Sequence, residues 1–320
     1  MKAAIYKKYG PPEVVHLMEV ATPIPADNEL LIQVYASTAN RTDAGFRSAE
    51  YIVSRFWSGL FRPKVPILGS EFSGVVVETG RAVTNFKKGD KVFGFNDVSF
   101  GGHAEYLTID ENKAVTSIPS NFDIYQSAAI AEGAHYALCN IRASGIQQGQ
   151  KALVYGATGA IGSAAVQLLK YFGVWVTAVC NTPNVELVKK LGADEVIDYQ
   201  TQEFTRTPNR FELIFDAVGK SSFNQCKPLL TSKGMYVSTE LGKNGENIFY
   251  ALITPLFRDK KVIFSIPVSR KEDLEFLKNR VENNEFKPVI DSEYTLDQIV
   301  EAYRYVETGQ KTGNVIVKIF

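Results

Sequence analysis

A glycine-rich turn between two apolar segments is the part of the sequence best suited to chemistry. Gly159 would let a phosphate approach the backbone, and Gly162 would let the following helix pack closely on the preceding strand. The first glycine of the usual GxGxxG pattern is Ala157 here. A turn that only packs is the alternative, but the strand–turn–helix order favours a dinucleotide. The residues predicted to hold its diphosphate are Gly156, Ala157, Thr158, Gly159, Ala160, Ile161 and Gly162.

The residues that follow the next predicted strand, at 174–179, help to determine which dinucleotide the domain binds. NAD-binding domains usually place Asp or Glu there, where the carboxylate bonds the ribose 2′-hydroxyl. No acid occurs between Ser163 and Val185, and this absence admits a 2′-phosphate. We therefore predict NADP(H), with NAD(H) as the alternative. The other residues predicted to contact the cofactor are Cys180, Asn181, Thr182, Tyr199, Val218 and Leu241.

Residues of the types that bind zinc are scarce. A catalytic zinc ion usually takes three protein ligands from Cys, His, Asp and Glu. The N-terminal part of the chain, up to residue 125, contains no cysteine and only two histidines, His16 and His103. We expect His16 to pack or to face solvent, and His103 to be a surface or hinge histidine in a turn. The sequence therefore predicts no metal site.

The elements that must position these residues change in type along the chain. Up to about residue 120, short strands alternate with turns, which is typical of an antiparallel, barrel-like domain. The strands predicted there span 2–6, 29–36, 74–79, 91–94 and 104–109. A long excursion at 47–66 either packs on its own aromatic residues or forms an apolar wall or lid over a pocket.

From about residue 121 onwards, helices alternate with strands, and this order predicts a doubly wound parallel sheet. The strands predicted there span 151–155, 174–179, 195–198, 213–216, 235–238 and 262–265. The predicted helices span 127–141, 161–172, 185–191, 271–283 and 296–307. A last strand at 314–319 suggests that the end of the chain folds back onto the first domain.

Charge and composition narrow the function classes. Lys plus Arg and Asp plus Glu each number 35, so the net charge of zero gives no support for a nucleic-acid partner. Three cysteines without a CxxC pair argue against a disulfide framework and favour a reducing cytoplasm. The sequence shows neither a signal peptide nor an apolar run of about 18 residues, so we expect no membrane span.

Several segments together resemble one protein family. They are 1–3, 9–14, 66–76 (PILGSEFSGVV), 86–94 (FKKGDKVFG), 191–199 (LGADEVIDY), 215–219 and 309–315 (GQKTGNV). With them, the whole chain resembles the zinc-independent medium-chain dehydrogenase/reductases, in the quinone oxidoreductase and enone reductase branch. The resemblance implies a GroES-like, mostly antiparallel β-barrel domain for substrate at 1–122. It also implies a Rossmann domain for NAD(P) at 123–268 and a C-terminal segment at 269–320 that returns to the first domain.

The resemblance also implies roles for individual residues. Zinc-dependent relatives have a cysteine ligand at the position of Asn40 and a histidine ligand at the position of Ser70, so both changes remove metal ligands. In the zinc-free branch, an asparagine like Asn40 lies near the nicotinamide ribose; the alternative is that it bonds loop backbone. A threonine that usually faces the nicotinamide region is replaced by His135 or Tyr136, which would narrow the pocket, donate a proton or simply pack. The predicted catalytic residues are Asn40, Tyr51, His135 and Tyr136.

The activity implied by the resemblance is NADPH-dependent reduction of quinones or α,β-unsaturated carbonyl compounds by hydride transfer without zinc. One alternative is a cofactor-binding sensor or structural protein of the same fold. Another is an NAD(P)-dependent alcohol dehydrogenase, and an RNA-binding role is disfavoured by the neutral charge. The apolar segment 262–266 would lie at a sheet edge, where a bare strand invites pairing, and the resemblance implies a homodimer through that edge.

Overall fold

The computed structural model describes residues 1–50, 55–257 and 259–320, without the side chains of residues 56 and 57. Tyr51, one of the predicted catalytic residues, lies outside the described residues. The chain divides into two compact units. Unit 1 consists of Met1–Glu132, Ser269–Asn284 and Pro288–Phe320, and unit 2 consists of Gly133–Val268 and Glu285–Lys287.

The strands of the described residues are numbered here in chain order. They are β1 (Lys2–Tyr6), β2 (Val15–Glu19), β3 (Glu29–Ala39), β4 (Glu71–Thr79), β5 (Lys91–Phe95), β6 (Tyr106–Asp110), β7 (Val115–Ser117), β8 (Lys151–Tyr155), β9 (Trp175–Cys180), β10 (Glu195–Asp198), β11 (Phe211–Asp216), β12 (Leu230–Ser238), β13 (Lys261–Ile263), β14 (Ile290–Thr295) and β15 (Asn314–Lys318).

The helices of the described residues are numbered in the same way. The α-helices are α1 (Arg41–Ser48), α2 (Arg55–Ser58), α3 (Ile124–Ser127), α4 (Glu132–Ser144), α5 (Ala160–Tyr171), α6 (Val185–Lys190), α7 (Phe223–Cys226), α8 (Glu246–Ile253), α9 (Lys271–Glu282) and α10 (Ile299–Glu307). Short 3₁₀ turns span Pro12–Val14, Ala128–Ile130, Thr182–Asn184, Phe204–Arg206, Lys227–Leu229, Lys243–Gly245, Thr254–Leu256 and Leu296–Gln298. None of these helices is long and apolar enough to cross a membrane.

Unit 1 contains the mostly antiparallel sheet that the strand pattern predicts. Its strands lie in the order β14-β15-β3-β4-β5-β7, with β6 paired to β3, and β1 and β2 form a separate pair. All of these pairs are antiparallel except β14–β15. The C-terminal helix α10 packs Tyr303 and Val306 into the same core as Tyr6 of β1 and Val317 of β15. Unit 1 therefore combines the beginning and the end of the chain.

Unit 2 contains the predicted parallel sheet, with strand order β10-β9-β8-β11-β12-β13. Counted from β8 as the first strand, this is the 3-2-1-4-5-6 order of the Rossmann fold. Strand β8 is apolar and fully buried at Ala152, Leu153 and Val154, as expected for a parallel strand with both faces covered. The order reverses between β8 and β11, so ligands are expected outside the carboxyl ends of these strands.

Two predicted elements differ from the structure. The single helix predicted at 127–141 is broken into α3, a 3₁₀ turn and α4. Residues 127–135 are all buried. A segment that is buried on every side is apolar throughout, so the spacing of its apolar residues does not indicate where the helix breaks. The strand predicted at 262–265 ends at Ile263, shortly before Pro267, which has no N–H to donate to a sheet.

The boundary between the two units also differs from the predicted one. The sequence suggests a boundary after residue 122, whereas unit 1 continues to Glu132. The reason is that Tyr125 and Ala128 pack in one cluster with Ala36 of β3 and Ile316 of β15, which keeps α3 with the first unit.

Candidate functional site

Helix α5 begins at the glycine-rich turn, and no side chain caps its N-terminus. The residue before it, Gly159, has φ −70° and ψ 173°. The N–H of Ser163 donates to the Gly159 carbonyl at 2.8 Å and starts the helical hydrogen bonds. The N–H groups of Ala160, Ile161 and Gly162 therefore have no partner within the helix. Such a helix start suits a diphosphate, because these donors and the positive end of the helix dipole face the same way.

The glycines of this turn serve different purposes. A Cβ atom on Gly162 would lie 2.0 Å from the Gly156 carbonyl oxygen, so this position needs glycine for packing. Gly156 has φ 76°, in the left-handed region, and a Cβ there would lie 2.6 Å from both Cγ atoms of Val218. At Gly159, however, the nearest atom to an added Cβ would be 3.8 Å away. The protein alone does not require glycine at 159, and the open space there is suited to a ligand.

The loop after β11 is ordered by the buried carboxylate of Asp216. This group accepts hydrogen bonds from the N–H of Val218 at 3.0 Å and from the N–H and hydroxyl of Ser221, both at 2.7 Å. The Tyr236 hydroxyl donates to it at 3.3 Å, and burial together with the charge of Asp216 raises the pKa of Tyr236. The loop brings Val218 against Gly156, so these two predicted cofactor residues lie side by side.

Strand β9 ends in a turn where the predicted adenosine contacts lie. The thiol of Cys180 is buried, and burial raises its pKa to about 11. Its carbonyl accepts the N–H of Tyr199 at 3.0 Å, and the Asn184 amide donates to the Asn181 side-chain oxygen at 2.7 Å. Tyr199 is 50% exposed. Tyr199 is therefore open to a ligand, whereas the Cys180 side chain is not.

Asp198 also lies at this turn, and the sequence prediction does not include it. It is the last residue of β10 and pairs in register with Cys180. Its Oδ2 accepts the Thr182 hydroxyl at 2.6 Å, and its Oδ1 accepts the N–H of Gln200 at 2.9 Å. The available signal was an acid at the end of the neighbouring strand, because the carboxyl ends of adjacent parallel strands lie at one edge of a sheet.

Leu241 lies in the loop after β12. Its carbonyl accepts the N–H of Asn247 at 3.0 Å, and the Asn247 amide donates to the Glu240 carbonyl at 2.8 Å. The predicted cofactor residues thus lie at or just beyond the carboxyl ends of β8, β9, β10, β11 and β12. This is the edge of the sheet at which a Rossmann domain binds its ligand.

The two other candidate residues of unit 2 lie in α4. His135 is buried, and its ring nitrogens are 3.7 and 3.8 Å from Sγ of Cys139, one helical turn later. Tyr136 is half-buried, and its ring lies edge-on to that of His135 at 6.0 Å between centroids. The predicted catalytic roles of His135 and Tyr136 stay predictions.

Asn40 lies in unit 1 and caps helix α1. Its Oδ1 accepts the N–H of Asp43 at 2.8 Å, and its Nδ2 donates to Oγ of Ser70 at 2.9 Å and to Oγ1 of Thr38 at 3.3 Å. The side chain is buried. Both amide hydrogens are used within unit 1, so Asn40 holds loop structure. Its predicted place near a nicotinamide ribose stays a prediction.

The expectation that His103 is a surface or hinge histidine is wrong. The ring is 1% exposed, with Nε2 2.8 Å from the Thr38 carbonyl oxygen and Nδ1 3.2 Å from the Tyr303 hydroxyl. Burial lowers the pKa of His103 to about 4, so the ring is neutral near pH 7. The turn context predicted exposure, but both ring nitrogens have partners in the core. His16, by contrast, is exposed in β2.

Three carboxyl groups are buried near Asn40, in Asp43, Glu71 and Glu132. Asp43 accepts the N–H of Ser70 at 3.1 Å, and Glu132 accepts the Thr42 hydroxyl at 2.6 Å. Burial, followed by repulsion from Glu132, raises the pKa of Asp43 and of Glu71 well above the usual range. Burial also raises the pKa of Glu132. Burial therefore shifts the pKa of each of these carboxyl groups upward, toward the uncharged form, relative to an exposed carboxyl.

Comparison with known proteins gives the family. Residues 26–120 match the family described as alcohol dehydrogenase GroES-like domain, and residues 191–317 match the one described as zinc-binding dehydrogenase. The chain is 33% identical to 2-methylene-furan-3-one reductase of Solanum lycopersicum, over 99% of this chain and 79% of that protein. The chain belongs to the medium-chain dehydrogenase/reductase family.

Other members of the medium-chain dehydrogenase/reductase family extend this similarity. The chain is 30% identical to a chloroplastic quinone-oxidoreductase homolog of Spinacia oleracea, over 99% of this chain and 98% of that protein. Among solved structures, the quinone oxidoreductase of Coxiella burnetii superposes with a TM-score of 0.88 at 26% identity, covering 100% of this chain and 99% of that one. The predicted GroES-like and Rossmann folds are confirmed.

Zinc-dependent medium-chain dehydrogenases hold a catalytic metal, and the residues of unit 1 do not fit one. Asn40 and Ser70 bond each other, and neither an amide nor a hydroxyl belongs to the usual ligand set of zinc. Within the described part of unit 1, no three His, Cys, Asp or Glu residues bring ligand atoms within 4.8 Å of one another.

Proposed function

We propose that this protein reduces quinones or α,β-unsaturated carbonyl compounds with NADPH, without zinc. The open start of α5 carries the proposal, since it offers three backbone N–H groups and an uncrowded Gly159 to a diphosphate. The names of relatives support the substrate class. One relative, 31% identical over 99% of this chain, is the chloroplastic NADPH-dependent alkenal/one oxidoreductase of Arabidopsis thaliana.

The protein's own residues would bind the nucleotide and stabilise the negative charge that develops on the substrate during the reaction. NADPH, when bound, supplies a hydride to the electron-poor carbon of the substrate. Negative charge then develops on the carbonyl oxygen, where hydrogen-bond donors must stabilise it. Tyr51, His135 and Tyr136 are the proposed donors, and the ribose hydroxyl of the nucleotide is a further one. Asn40 is disfavoured as a donor, because Thr38 and Ser70 already accept its amide hydrogens.

The proposed function is tested by following NADPH oxidation with an enone, a quinone and an aldehyde without a conjugated double bond. We expect turnover of the enone and the quinone, with the enone converted to its saturated ketone. The expected rate should not change after dialysis against a zinc chelator, because the residues of unit 1 do not fit zinc. Loss of activity on chelation, with recovery on adding zinc, would contradict the zinc-free mechanism.

The same assay separates the alternatives. A sensor or structural protein of this fold would bind NADPH in a titration but oxidise it with no substrate in the panel. An alcohol dehydrogenase would oxidise simple alcohols with NAD⁺ or NADP⁺ and would ignore enones. Either result would replace the proposed function.

We also propose a homodimer through the edge of the unit 2 sheet. Strand β13 lies at that edge, and the segments around it expose large apolar side chains. They include Phe249, Leu252, Leu256, Phe257, Ile266 and Val268, which are 59% to 81% exposed. Apolar surface of this extent is usually covered by a partner. Within β13 itself the Val262 N–H already donates to the Thr254 hydroxyl at 3.0 Å, so a second copy would pack mainly on these exposed side chains.

Analytical ultracentrifugation tests the dimer. We expect the wild-type protein to sediment as a dimer and the Leu256→Lys, Ile266→Lys double variant to sediment as a monomer. A matched control is Ile24→Lys, because Ile24 is 88% exposed but lies in unit 1. A wild-type monomer at micromolar concentration would contradict the proposal.

For location, the proposal remains the cytoplasm. Cys180 and Cys226 are buried thiols that form no disulfide, which is consistent with a reducing compartment. Relatives are named as chloroplastic, so fractionation of the native cell is the relevant test.

A further inference from the structure

A tight turn in unit 1 exposes two adjacent apolar side chains. The N–H of Lys64 donates to the Ser58 carbonyl at 2.7 Å and closes the turn. Gly59 has φ 124°, and a Cβ there would lie 2.0 Å from a backbone oxygen of the same turn. After it, Leu60 is 53% exposed and Phe61 is 89% exposed. The close backbone packing therefore leaves these two side chains, here called the apolar tip, in solvent.

The turn is anchored to the segment that follows β1. The Tyr9 hydroxyl donates to the Gly59 carbonyl at 2.6 Å. The Arg55 guanidinium lies over the Tyr9 ring, 5.0 Å from its centroid. The N–H of Tyr6, the last residue of β1, donates to the Pro66 carbonyl at 3.0 Å. The segment that follows β1 therefore runs beside the turn that carries the apolar tip.

Positive charge borders the apolar tip. Residues 1–12 and 55–70, which form the two neighbouring segments, contain no Asp or Glu. The exposed basic residues of these segments are Lys7, Lys8, Arg62 and Lys64. None of the four forms an ion pair with another described residue. The tip is therefore an apolar projection with an unneutralised basic border.

The size of the tip and the sign of its border distinguish between possible partners. A stable protein interface buries about 800 Å² on each partner, which is far more than two adjacent side chains provide. A membrane surface requires less, because shallow insertion of a few apolar side chains adds to the attraction between basic residues and anionic lipids. An anionic membrane therefore fits this surface better than a second protein does.

We propose that the apolar tip and its basic border bind unit 1 to the surface of an anionic lipid bilayer. Leu60 and Phe61 insert among the lipids, and the four basic side chains contact the headgroups. Apolar quinones dissolve in such a bilayer, so the contact would bring the protein to a supply of substrate. That benefit rests on the proposed function, whereas the lipid contact itself does not.

Flotation of the whole protein with lipid vesicles tests the inference. We expect binding to equimolar phosphatidylcholine and phosphatidylserine to be at least about tenfold stronger than binding to phosphatidylcholine alone. High salt should release the protein, because it screens the attraction between the lysines and the headgroups. Equal binding to both kinds of vesicle, or binding to neither, would overturn the inference.

The Leu60→Ser, Phe61→Ser double variant tests the apolar tip. We expect its partition coefficient on the anionic vesicles to fall about tenfold or more, because serine gains nothing by leaving water. Ile24→Ser is the control, since Ile24 is 88% exposed elsewhere in unit 1, and it should bind as the wild type does. Unchanged binding of the double variant, or an equal loss in the control, would overturn the role of the tip.

The Lys7→Gln, Lys8→Gln double variant tests the basic border. We expect about tenfold weaker binding to the anionic vesicles. The matched control is Lys87→Gln, Lys88→Gln, which removes the same charge from two exposed lysines in the turn before β5. Equal losses in the two variants would mean that net charge alone is responsible and would overturn the specific role of the border.

NADPH oxidation with a water-soluble quinone, measured without vesicles, separates lipid binding from catalysis. We expect the Leu60→Ser, Phe61→Ser variant to keep the wild-type KM and to sediment as the wild type does. A raised KM with unchanged flotation would assign the tip to a substrate pocket, and altered sedimentation would assign it to a contact between copies. Either result would overturn the inference. A wild-type protein that floats but oxidises no NADPH would defeat only the proposed function.

Discussion

The polar groups around Asn40 in unit 1 and the turn before α5 in unit 2 use their hydrogen bonds in opposite ways. Around Asn40, the amide hydrogens and the cap oxygen have partners within the same unit. At α5, three backbone N–H groups have no partner within the helix, and the nearest atom to an added Cβ on Gly159 is 3.8 Å away. The first arrangement stabilises the protein by itself, whereas the second would be completed by the diphosphate that we propose binds there.

This difference shows that residue type alone does not identify a functional group. Asn40 and His103 carry side chains of types that often bind ligands, yet both are hydrogen-bonded within the core. The turn proposed to bind the diphosphate has almost no polar side chains, and the groups it offers to a ligand belong to the backbone. Asn40→Ala and Gly159→Ala should therefore separate stability from ligand binding.

The largest effect is expected for Gly162→Ala. Its Cβ would lie 2.0 Å from the Gly156 carbonyl oxygen, so the turn must open and α5 must shift. We expect the free energy of unfolding to fall by about 3 kcal/mol or more and NADPH binding to be lost. Thermal unfolding with and without NADPH measures both effects.

Gly45→Ala is the control for this substitution. Gly45 lies within α1, and an added Cβ would meet no atom within 4 Å. We expect unchanged NADPH binding and a stability gain of up to about 1 kcal/mol. If Gly162→Ala behaved like this control, the turn would not have the packing described here.

The second-largest effect on stability is expected for Asn40→Ala. The change removes the cap of α1 and leaves the Ser70 hydroxyl without its amide donor. We therefore expect the free energy of unfolding, measured in urea, to fall by about 2–3 kcal/mol. Asn40→Ser keeps an oxygen for the cap and should lose about half as much. A fully stable Asn40→Ala protein with low turnover would instead assign Asn40 to catalysis.

A smaller effect is expected from the pH dependence of stability. The folded pKa of His103 is about 4, below its ordinary value of 6.5, so the unfolded chain takes up a proton first as pH falls. Stability from this group is nearly complete above pH 6.5 and declines between pH 6.5 and 4, by about 1 kcal/mol at pH 5.5. Urea unfolding at several pH values measures this slope.

The contribution of His103 is isolated by subtracting the profile of His103→Gln, because Asp43 and Glu71 act in the opposite direction. Their raised pKa values favour the folded state as pH falls. The difference between wild type and His103→Gln should narrow steadily below pH 6.5. A difference that stays constant with pH would mean that the pKa of His103 is the same in the folded and unfolded protein.

The sequence predicted most elements because their signals are local. The strand at 151–155 and the following glycine turn were predicted at their observed places, since strand, turn and helix follow each other directly. Asp198 was missed as a member of the adenosine end, because it reaches that turn from a neighbouring strand and only strand pairing brings the two together. The burial of His103 was missed because its partners, Thr38 and Tyr303, are distant in sequence.

The most direct test of the account is NADPH binding by Gly159→Ala, measured by calorimetry beside the thermal stability of the free protein. The backbone at 159 has dihedral angles that alanine adopts, and an added methyl group meets no protein atom closer than 3.8 Å. We expect the melting temperature to change by less than about 3 °C and the NADPH Kd to rise at least about tenfold. A folded Gly159→Ala protein that binds NADPH as tightly as the wild type would contradict the assignment of this turn as the diphosphate site.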